Sequence, residues 1–266
     1  ARRRREKFGN HKLFHKGKWL RPSGTTPTTH IFKNQIGHLP NGIDLSNSVE
    51  NEFYGLAVME AFGLPVNKAE IKTFGNTKSL VIERFDRVWT QDRILQRIPQ
   101  EDCCQALSIP PSRKYQSDHR PASEKQPSMV EILNLLKGSD QPAEDQKAFL
   151  KAQIIFWLIG ATDGHGKNFS IFLGAGGRFI LTPFYDVLTA QPFFDARKLQ
   201  KKEMKMAMSA GNNNHYKMLF EHYIEYCFLT FVLNIQYINS FLHHLIPNEL
   251  DLVSFHICPH CKALLP

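Results

Sequence analysis

Residues 154–159 are apolar at every position, the pattern of a helix end buried all round. The chain then turns polar through Gly160-Ala161-Thr162-Asp163-Gly164-His165-Gly166-Lys167-Asn168 and apolar again over 169–173. This reads as a helix over 143–159 opened by Pro142, a tight loop of functional side chains, and a strand leaving it. A glycine turn at 174–177 and a second strand at 179–181 complete a hairpin that delivers Pro183-Phe184-Tyr185-Asp186 back toward Asp163.

Earlier in the chain, residues 28–33 alternate and are β-branched at their start, which predicts a strand. A polar loop over 34–46 follows. Val49, Phe53, Leu56 and Met59 recur at helical spacing, with Ser46 or Ser48 as cap, Glu50 and Glu52 in the first turn, and Gly63 with Pro65 as the stop. Residues 68–74 and 79–85 read as two strands about a Gly75-Asn76 turn, and with 28–33 they make a small antiparallel sheet. Pro99 and the acids after it predict a helix start over 99–107. Residues 108–127, rich in proline, read as a loop or a lid over a substrate groove. A short helix over 129–136, a loop at 211–214 and one or two helices over 215–245 complete the reading. The fold class is α+β with two lobes, a small antiparallel β lobe over 1–98 and a larger, mainly helical lobe over 99–266.

Charge changes this picture at one end only. The net charge is +8, and residues 1–21, with nine basic residues and one acid, account for all of it. Electrostatic attraction to nucleic acid or an acidic partner would rest on that arm; a solvated terminus and neutralisation of phosphates in a site are the other readings. Five cysteines in 266 residues fit a reduced, cytoplasmic protein. Cys103 and Cys104 read as core sulfur. His256, Cys258, His260 and Cys261 look like half a zinc site without a second pair of ligands, or an adventitious tail. No apolar run reaches the ~18 residues of a membrane helix, and no apolar segment follows the basic N-terminus as a signal peptide requires.

The chemistry gathers in the loop. Asp163 and Asn168 stand five apart, the spacing at which a phosphoryl-transfer loop places an aspartate for the hydroxyl proton and an asparagine for magnesium. Asp186 supplies a second metal carboxylate. Lys167 suits the transferring phosphate. His165 either holds the loop as a neutral imidazole or approaches a phosphate. Lys33, at the end of a strand leading to a helix, suits a lysine on the ATP phosphates or a plain strand edge, and Glu52 is its candidate partner or an exposed helix-start acid. The glycine turn at 174–177 is no phosphate loop, because no helix follows it. A magnesium nuclease using Asp163, His165 and Lys167 is a rival, but it leaves Lys33 without a task.

GATDGHGKNFS and LTPFYD, supported by TTPTTHIFK, LSNSVENEFYGL, LVIERFDRVW and IPQEDCCQ, resemble the HipA family of bacterial serine/threonine kinases, toxins of toxin–antitoxin modules. The resemblance implies ATP and Mg2+ as cofactors, with Asp163, Lys167 and His165 catalytic and Asn168 and Asp186 on the metal. It places Lys33 on the phosphates, Gln100 near the nucleotide, and Glu83 to Phe85 as the hinge that meets adenine through its backbone. It also implies a DNA-binding antitoxin as partner, with DNA reached through it, and an aminoacyl-tRNA synthetase as the substrate whose phosphorylation stalls translation. The family's glycine-bearing, serine-containing phosphate loop would fall at Ala1 to Arg5, which has no glycine. The chain therefore resembles the shortened toxin of three-component modules, where a small separate protein supplies the N-terminal portion, or a truncated kinase. Weak ATP binding by the chain alone is expected. The alternative is a catalytically impaired kinase-like subunit that binds antitoxin and DNA.

Overall fold

A hairpin that the charge pattern conceals is the first of the described elements. β1 (His11–His15) and β2 (Lys18–Leu20) pair antiparallel about Lys16 and Gly17, whose φ values of 49° and 76° suit a tight two-residue turn. Trp19 projects from it onto His30 and Phe32, with ring centroids 4.8 Å from each. Half of the expected basic arm is thus sheet, because its lysines alternate with apolar residues that have a face to cover. The computed structural model describes residues 11–39, 44–116, 125–190, 192, 204–210 and 213–215, all within one compact unit over 1–225. Residues 1–10, most of the expected helical stretch over 215–245, and the His256 to Cys261 cluster lie outside the described residues.

β3 (His30–Asn34) follows, and the predicted polar loop contains two short paired strands, β4 (Gly37–His38) and β5 (Asp44–Leu45). α1 (Ser48–Ala61) then packs on the sheet formed with β6 (Ala69–Phe74) and β7 (Thr77–Glu83). The order is β2-β1-β3-β7-β6, antiparallel throughout. Val49, Leu80 and Ile82 form the buried contact between helix and sheet, with Ile31, Phe53 and Ala69 around them. Neither predicted serine caps α1. The cap position is Asn47, which makes no side-chain bond there, while the Gln35 side chain accepts from the Val49 amide at 2.9 Å. Ser48 is buried, and its hydroxyl accepts from the Ile36 amide instead.

A second hairpin, β8 (Arg87–Trp89) with β9 (Leu95–Arg97), leads into β10 (Gln100–Asp102). Here the predicted helix start is corrected. Residues 100–102 pair with residues 170–172, and α2 (Cys103–Ala106) begins only after them. Asp102 and Gln105 cap it reciprocally, so the acid and glutamine mark a helix start three residues later than the proline suggested. α3 (Met129–Leu136) is capped by Ser128, and α4 (Pro142–Ile159) ends at Gly160 in the left-handed conformation, φ 65°. β11 (Ser170–Leu173) and β12 (Phe179–Leu181) form the predicted hairpin and join β10 in a three-stranded sheet. β13 (Lys205–Ala210) and β14 (Asn213–His215) pair with each other.

The segment after β12 ties the small sheet to the rest. The Asn67 amide donates to Phe184 O and the Phe184 amide to Pro65 O, both at 2.8 Å. The Asn51 carboxamide of α1 exchanges two bonds with the Thr189 backbone, at 2.9 and 2.8 Å. These pairs let α1 lie so close to this segment that a Cβ on Gly55 would overlap the Val187 carbonyl oxygen and stand 3.0 Å from Val187 Cγ1. Gly55→Ala is therefore expected to destabilise the protein by about 1–3 kcal/mol through overpacking. A thermal midpoint unchanged from wild type would show that this approach is not required.

Candidate functional site

Three elements distant in sequence meet at one ammonium group. Lys33 Nζ, on β3, lies 2.7 and 2.9 Å from the two carboxylate oxygens of Glu52 on α1, and 2.6 Å from Asp186 Oδ1 after β12. Glu52 is buried, which decides between the two readings of it in favour of a pairing partner. Burial opposes the Lys33 charge, but Glu52 and then Asp186 outweigh it and hold the ammonium above its ordinary pKa. Burial pushes the Glu52 carboxyl up to about 7 against the pull of Lys33, and Asp186 adds to the rise. One cation serves two carboxylates, so the cluster carries surplus negative charge.

Asp186 has φ 59°, a left-handed conformation that a short polar side chain tolerates better than most. This turn points its carboxylate toward Asn168, whose Nδ2 donates to Asp186 Oδ2 at 3.2 Å. The other carboxamide atom, Asn168 Oδ1, is buried and has no hydrogen-bond partner. Seven buried side-chain polar atoms among the described residues lack a partner, and three belong to predicted site residues: Asn168 Oδ1, Gln100 Oε1 and His165 Nδ1. Each such atom costs about 1–3 kcal/mol unless something meets it. Two of the three, Asn168 Oδ1 and His165 Nδ1, lie on the loop that carries Asp163, and a buried polar atom without a partner calls for a ligand, ion or water to explain it. An unpartnered amide oxygen beside a carboxylate is a hard oxygen donor set that fits Mg2+. Among the described residues no three His, Cys, Asp or Glu side chains converge on a metal position.

The loop that carries Asp163 is shaped by close packing. A Cβ on Gly164 would overlap the Phe156 ring, and one on Gly166 would stand 2.5 Å from Pro127 Cβ and 2.9 Å from Cys104 Sγ. Cys103 and Cys104 are both buried, and burial pushes their thiols up, that of Cys104 to about 11, so they serve as packing beneath the loop. Asp163 is exposed and accepts a hydrogen bond from the Tyr115 hydroxyl. His165 is buried and held below its ordinary pKa, chiefly by burial and further by Lys114, against the opposing charge of Asp163. Its Nε2 accepts from Lys114 Nζ at 2.6 Å. Lys167 is paired with Asp102, the α2 cap, and so is directed away from open space in this structure. Its carbonyl accepts from the buried Tyr185 hydroxyl at 2.8 Å.

The remaining predicted residues lie on β10 and at or just after the end of β7. Gln100 faces Phe172 across β10 and β11. The Phe85 ring contacts Phe172 and Tyr185, with centroids 5.6 and 5.7 Å away. Glu83 ends β7 exposed, with its amide bonded to Lys68 O and the next amide, of Arg84, to Thr29 O. Lys33, Asn168 and Asp186 are thus in direct contact with one another or through one residue. Asp163 and His165 sit on the same loop as Asn168 but engage Tyr115 and Lys114. Sequence reasoning missed Asp102, Lys114, Tyr115 and Tyr185. For Lys114 and Tyr115 the available signal was a basic and an aromatic residue inside the proline-rich segment read as a lid.

Comparison with known proteins places the chain in a family. The profile of the family described as HipA-like C-terminal domain matches residues 5–244. A Sinorhizobium fredii protein named as a candidate kinase, Y4mE, is 36% identical over 196 residues, covering 73% of this chain and 42% of its own length. The Shewanella oneidensis serine/threonine-protein kinase toxin HipA is 30% identical over 191 residues, covering 69% of this chain and 42% of its own length. The chain therefore spans less than half the length of these curated relatives. Among solved structures it is similar to the HipA of a Shewanella oneidensis complex of HipA, HipB and operator DNA, with TM-score 0.68, 24% identity, and coverage of 92% of this chain and 59% of that one. It is also similar to the Helicobacter pylori proinflammatory kinase CtkA, with TM-score 0.52, 12% identity, and coverage of 90% and 84%. The mixed fold with its small antiparallel sheet is kinase-like.

One electrostatic consequence is testable apart from any activity. Just beyond Phe85, Asp86 is buried between Arg84, which binds it through Nε and Nη2 at 2.9 and 2.7 Å, and Arg87, at 2.6 Å. Burial alone would raise the Asp86 pKa, but the hydrogen bonds and charges of the two arginines hold it below its ordinary value of 3.8. A carboxylate with a depressed folded-state pKa stabilises above its unfolded value, and that contribution is lost as pH falls through the folded value. Asp86→Asn is expected to cost about 3 kcal/mol at pH 7 by leaving two arginines uncompensated. In urea titrations the difference between wild type and variant should shrink as pH drops below 4. A difference that stays constant to pH 3 would remove Asp86 as its source.

Proposed function

The chain belongs to the HipA family, represented by the HipA-like C-terminal domain, and from that premise we propose that it transfers the γ-phosphate of ATP to a serine or threonine hydroxyl of a protein, in the presence of Mg2+. The observation that carries this reading is the Lys33 ammonium held between Glu52 and Asp186, with Asn168 beside them. Phosphoryl transfer needs little covalent help from a protein; it needs a fixed nucleotide, neutralised phosphates and an oriented hydroxyl. Lys33 binds phosphate oxygens, and Glu52 keeps it extended. Asn168 Oδ1 and Asp186 hold the metal, which supplies charge neutralisation on the β- and γ-phosphates. Asp163 orients the acceptor hydroxyl and takes its proton. Lys167 leaves Asp102 to meet the transferring phosphate, while neutral His165 holds the loop. Gln100, the Glu83 to Phe85 backbone and the Phe85 ring receive the base.

The relatives extend the proposal to its setting. One is named a serine/threonine kinase toxin, and a solved neighbour is a complex with HipB and operator DNA. We infer that this chain is the toxin of a bacterial toxin–antitoxin module in the cytoplasm. Its partner is a DNA-binding antitoxin, and DNA is reached through that protein. An aminoacyl-tRNA synthetase is the substrate class, with arrest of translation as the consequence. Among the described residues no helix is long and apolar enough to cross a membrane.

The test is Mg-ATP phosphate transfer to proteins of a bacterial extract by wild type and Asp163→Asn, with phosphorylated residues identified by mass spectrometry. Wild type is expected to label serine or threonine, and Asp163→Asn to lose roughly 10²- to 10⁴-fold in rate. Equal labelling by both proteins would overturn the role of Asp163. No labelling by either, with the antitoxin and neighbouring small proteins present, would favour the binding-subunit reading. Cleavage of nucleic acid without ATP would favour a nuclease.

A further inference from the structure

The segment after α2 reaches the catalytic loop through two consecutive side chains. Tyr115 donates its hydroxyl to Asp163 Oδ1, and Lys114 Nζ donates to His165 Nε2 at 2.6 Å. The Lys114 carbonyl accepts from the Gly166 amide at 3.2 Å, and the Tyr115 ring stands edge-on to the His165 imidazole, centroids 5.0 Å apart. Asp163, His165 and Gly166 are thus each fixed by one dipeptide. The dipeptide is itself anchored from the other side. The Gln116 amide donates to Ala207 O at 3.2 Å, and Gln116 Oε1 accepts from the Ser209 amide at 2.8 Å, both on β13.

We propose that Lys114 and Tyr115 are positioning residues that clamp the Asp163 to Gly166 loop, with the Tyr115 hydroxyl turning the Asp163 carboxylate so that Oδ2 meets the acceptor hydroxyl. The proposal rests on the kinase reading above. A carboxylate has two oxygens, and among the described residues hydrogen bonding engages only Oδ1 of Asp163. A free aspartate on an exposed loop rotates about χ1 and χ2, and each orientation other than the productive one lowers the fraction of encounters that react. The hydroxyl removes that freedom. The same contact would also describe a plug, with Tyr115 standing where a substrate hydroxyl belongs. Anchoring on β13 argues against it, because a plug has to withdraw and this segment is bonded on both sides. A plug would also leave His165 alone, whereas here the neighbouring lysine secures the same loop.

The test uses Tyr115→Phe in the full chain, with any partner chain that activity requires, beside wild type and Asp163→Asn. This change keeps the ring and removes only the hydroxyl. Expected are a kcat lowered ~10- to 100-fold, KM for ATP within twofold of wild type, and an unchanged thermal midpoint. Amide exchange over 163–168 should quicken while α4 stays protected. Lys114→Met should quicken the same amides, which gives a second reading should the tyrosine variant fold poorly. A kcat within twofold of wild type would overturn the proposal, and a raised kcat would replace it with the plug. Were wild type itself inactive on every protein offered, the kinase reading would fall; exchange would still decide the clamp, and unchanged exchange at Gly166 in both variants would sink it.

Discussion

A single lysine ammonium shared by two carboxylates is the constraint on which this fold turns. Lys33, Glu52 and Asp186 come from a strand, a helix and a turn, and the last lies 153 residues from the first. Bringing them together requires α1 to lie flat on the sheet, which Val49, Leu80 and Ile82 arrange by burial. It also requires the segment after β12 to return to α1, which the Asn51 to Thr189 pair and the absence of a Cβ at Gly55 arrange. The polar contact does not hold the two parts together by itself. An ion pair with one partner buried gains little net stability after desolvation. The apolar and backbone contacts carry the assembly, and the ion pair specifies where its ends must come.

How much of this was legible follows from where the physics is local. The helix over Pro142–Ile159, the glycine that ends it and the hairpin beyond are set by nearby residues, and the pattern of apolar positions displayed them. So was the β6 to β7 hairpin, and Glu52 was one candidate partner for Lys33, whereas the approach of Asp186 to Lys33 joins positions 153 residues apart and no local pattern displayed it. The β1 to β2 hairpin was hidden because Lys12, Lys16 and Lys18 sit among its apolar residues, and charge density masked a period of two. Gln100 to Asp102 became strand because β11 offered an edge, a partner 70 residues away that no local rule contains. The α1 cap came from Gln35, thirteen residues earlier, where a serine nearby had seemed sufficient.

The catalytic loop shows a different kind of illegibility. Its glycines look like residues chosen for flexibility. Gly164 and Gly166 instead sit where Phe156, Pro127 and Cys104 leave no room for a Cβ, and neither has a positive φ. The loop is therefore pressed onto the side chains beneath it, with buried cysteines among them and Tyr185 bonded to Lys167 O. Loops that carry chemistry profit from such rigidity, because the functional atoms must keep their places without reorganising at each turnover. A sequence shows that glycine is present; only packing shows whether it frees the backbone or lets it approach.

The unpartnered atoms complete the argument. A protein optimised for stability would have filled the space around Asn168 Oδ1 and Gln100 Oε1 or replaced both residues with apolar ones, since each buried polar atom without a partner is a standing cost. It would also have balanced Lys33 with one carboxylate. Here the unmet acceptor Asn168 Oδ1 belongs to the side chain that meets Asp186, one of two carboxylates on a single ammonium, and Asp186 adds a left-handed backbone on a residue other than glycine. Unpartnered buried atoms and positive φ values also occur elsewhere among the described residues, but at Asn168 and Asp186 the two kinds of departure stand side by side. Such a pairing is what a ligand site would explain. A divalent cation with its phosphates would meet both defects at once, which is the physical content of the magnesium-dependent kinase reading and the reason these residues are better explained by binding than by folding.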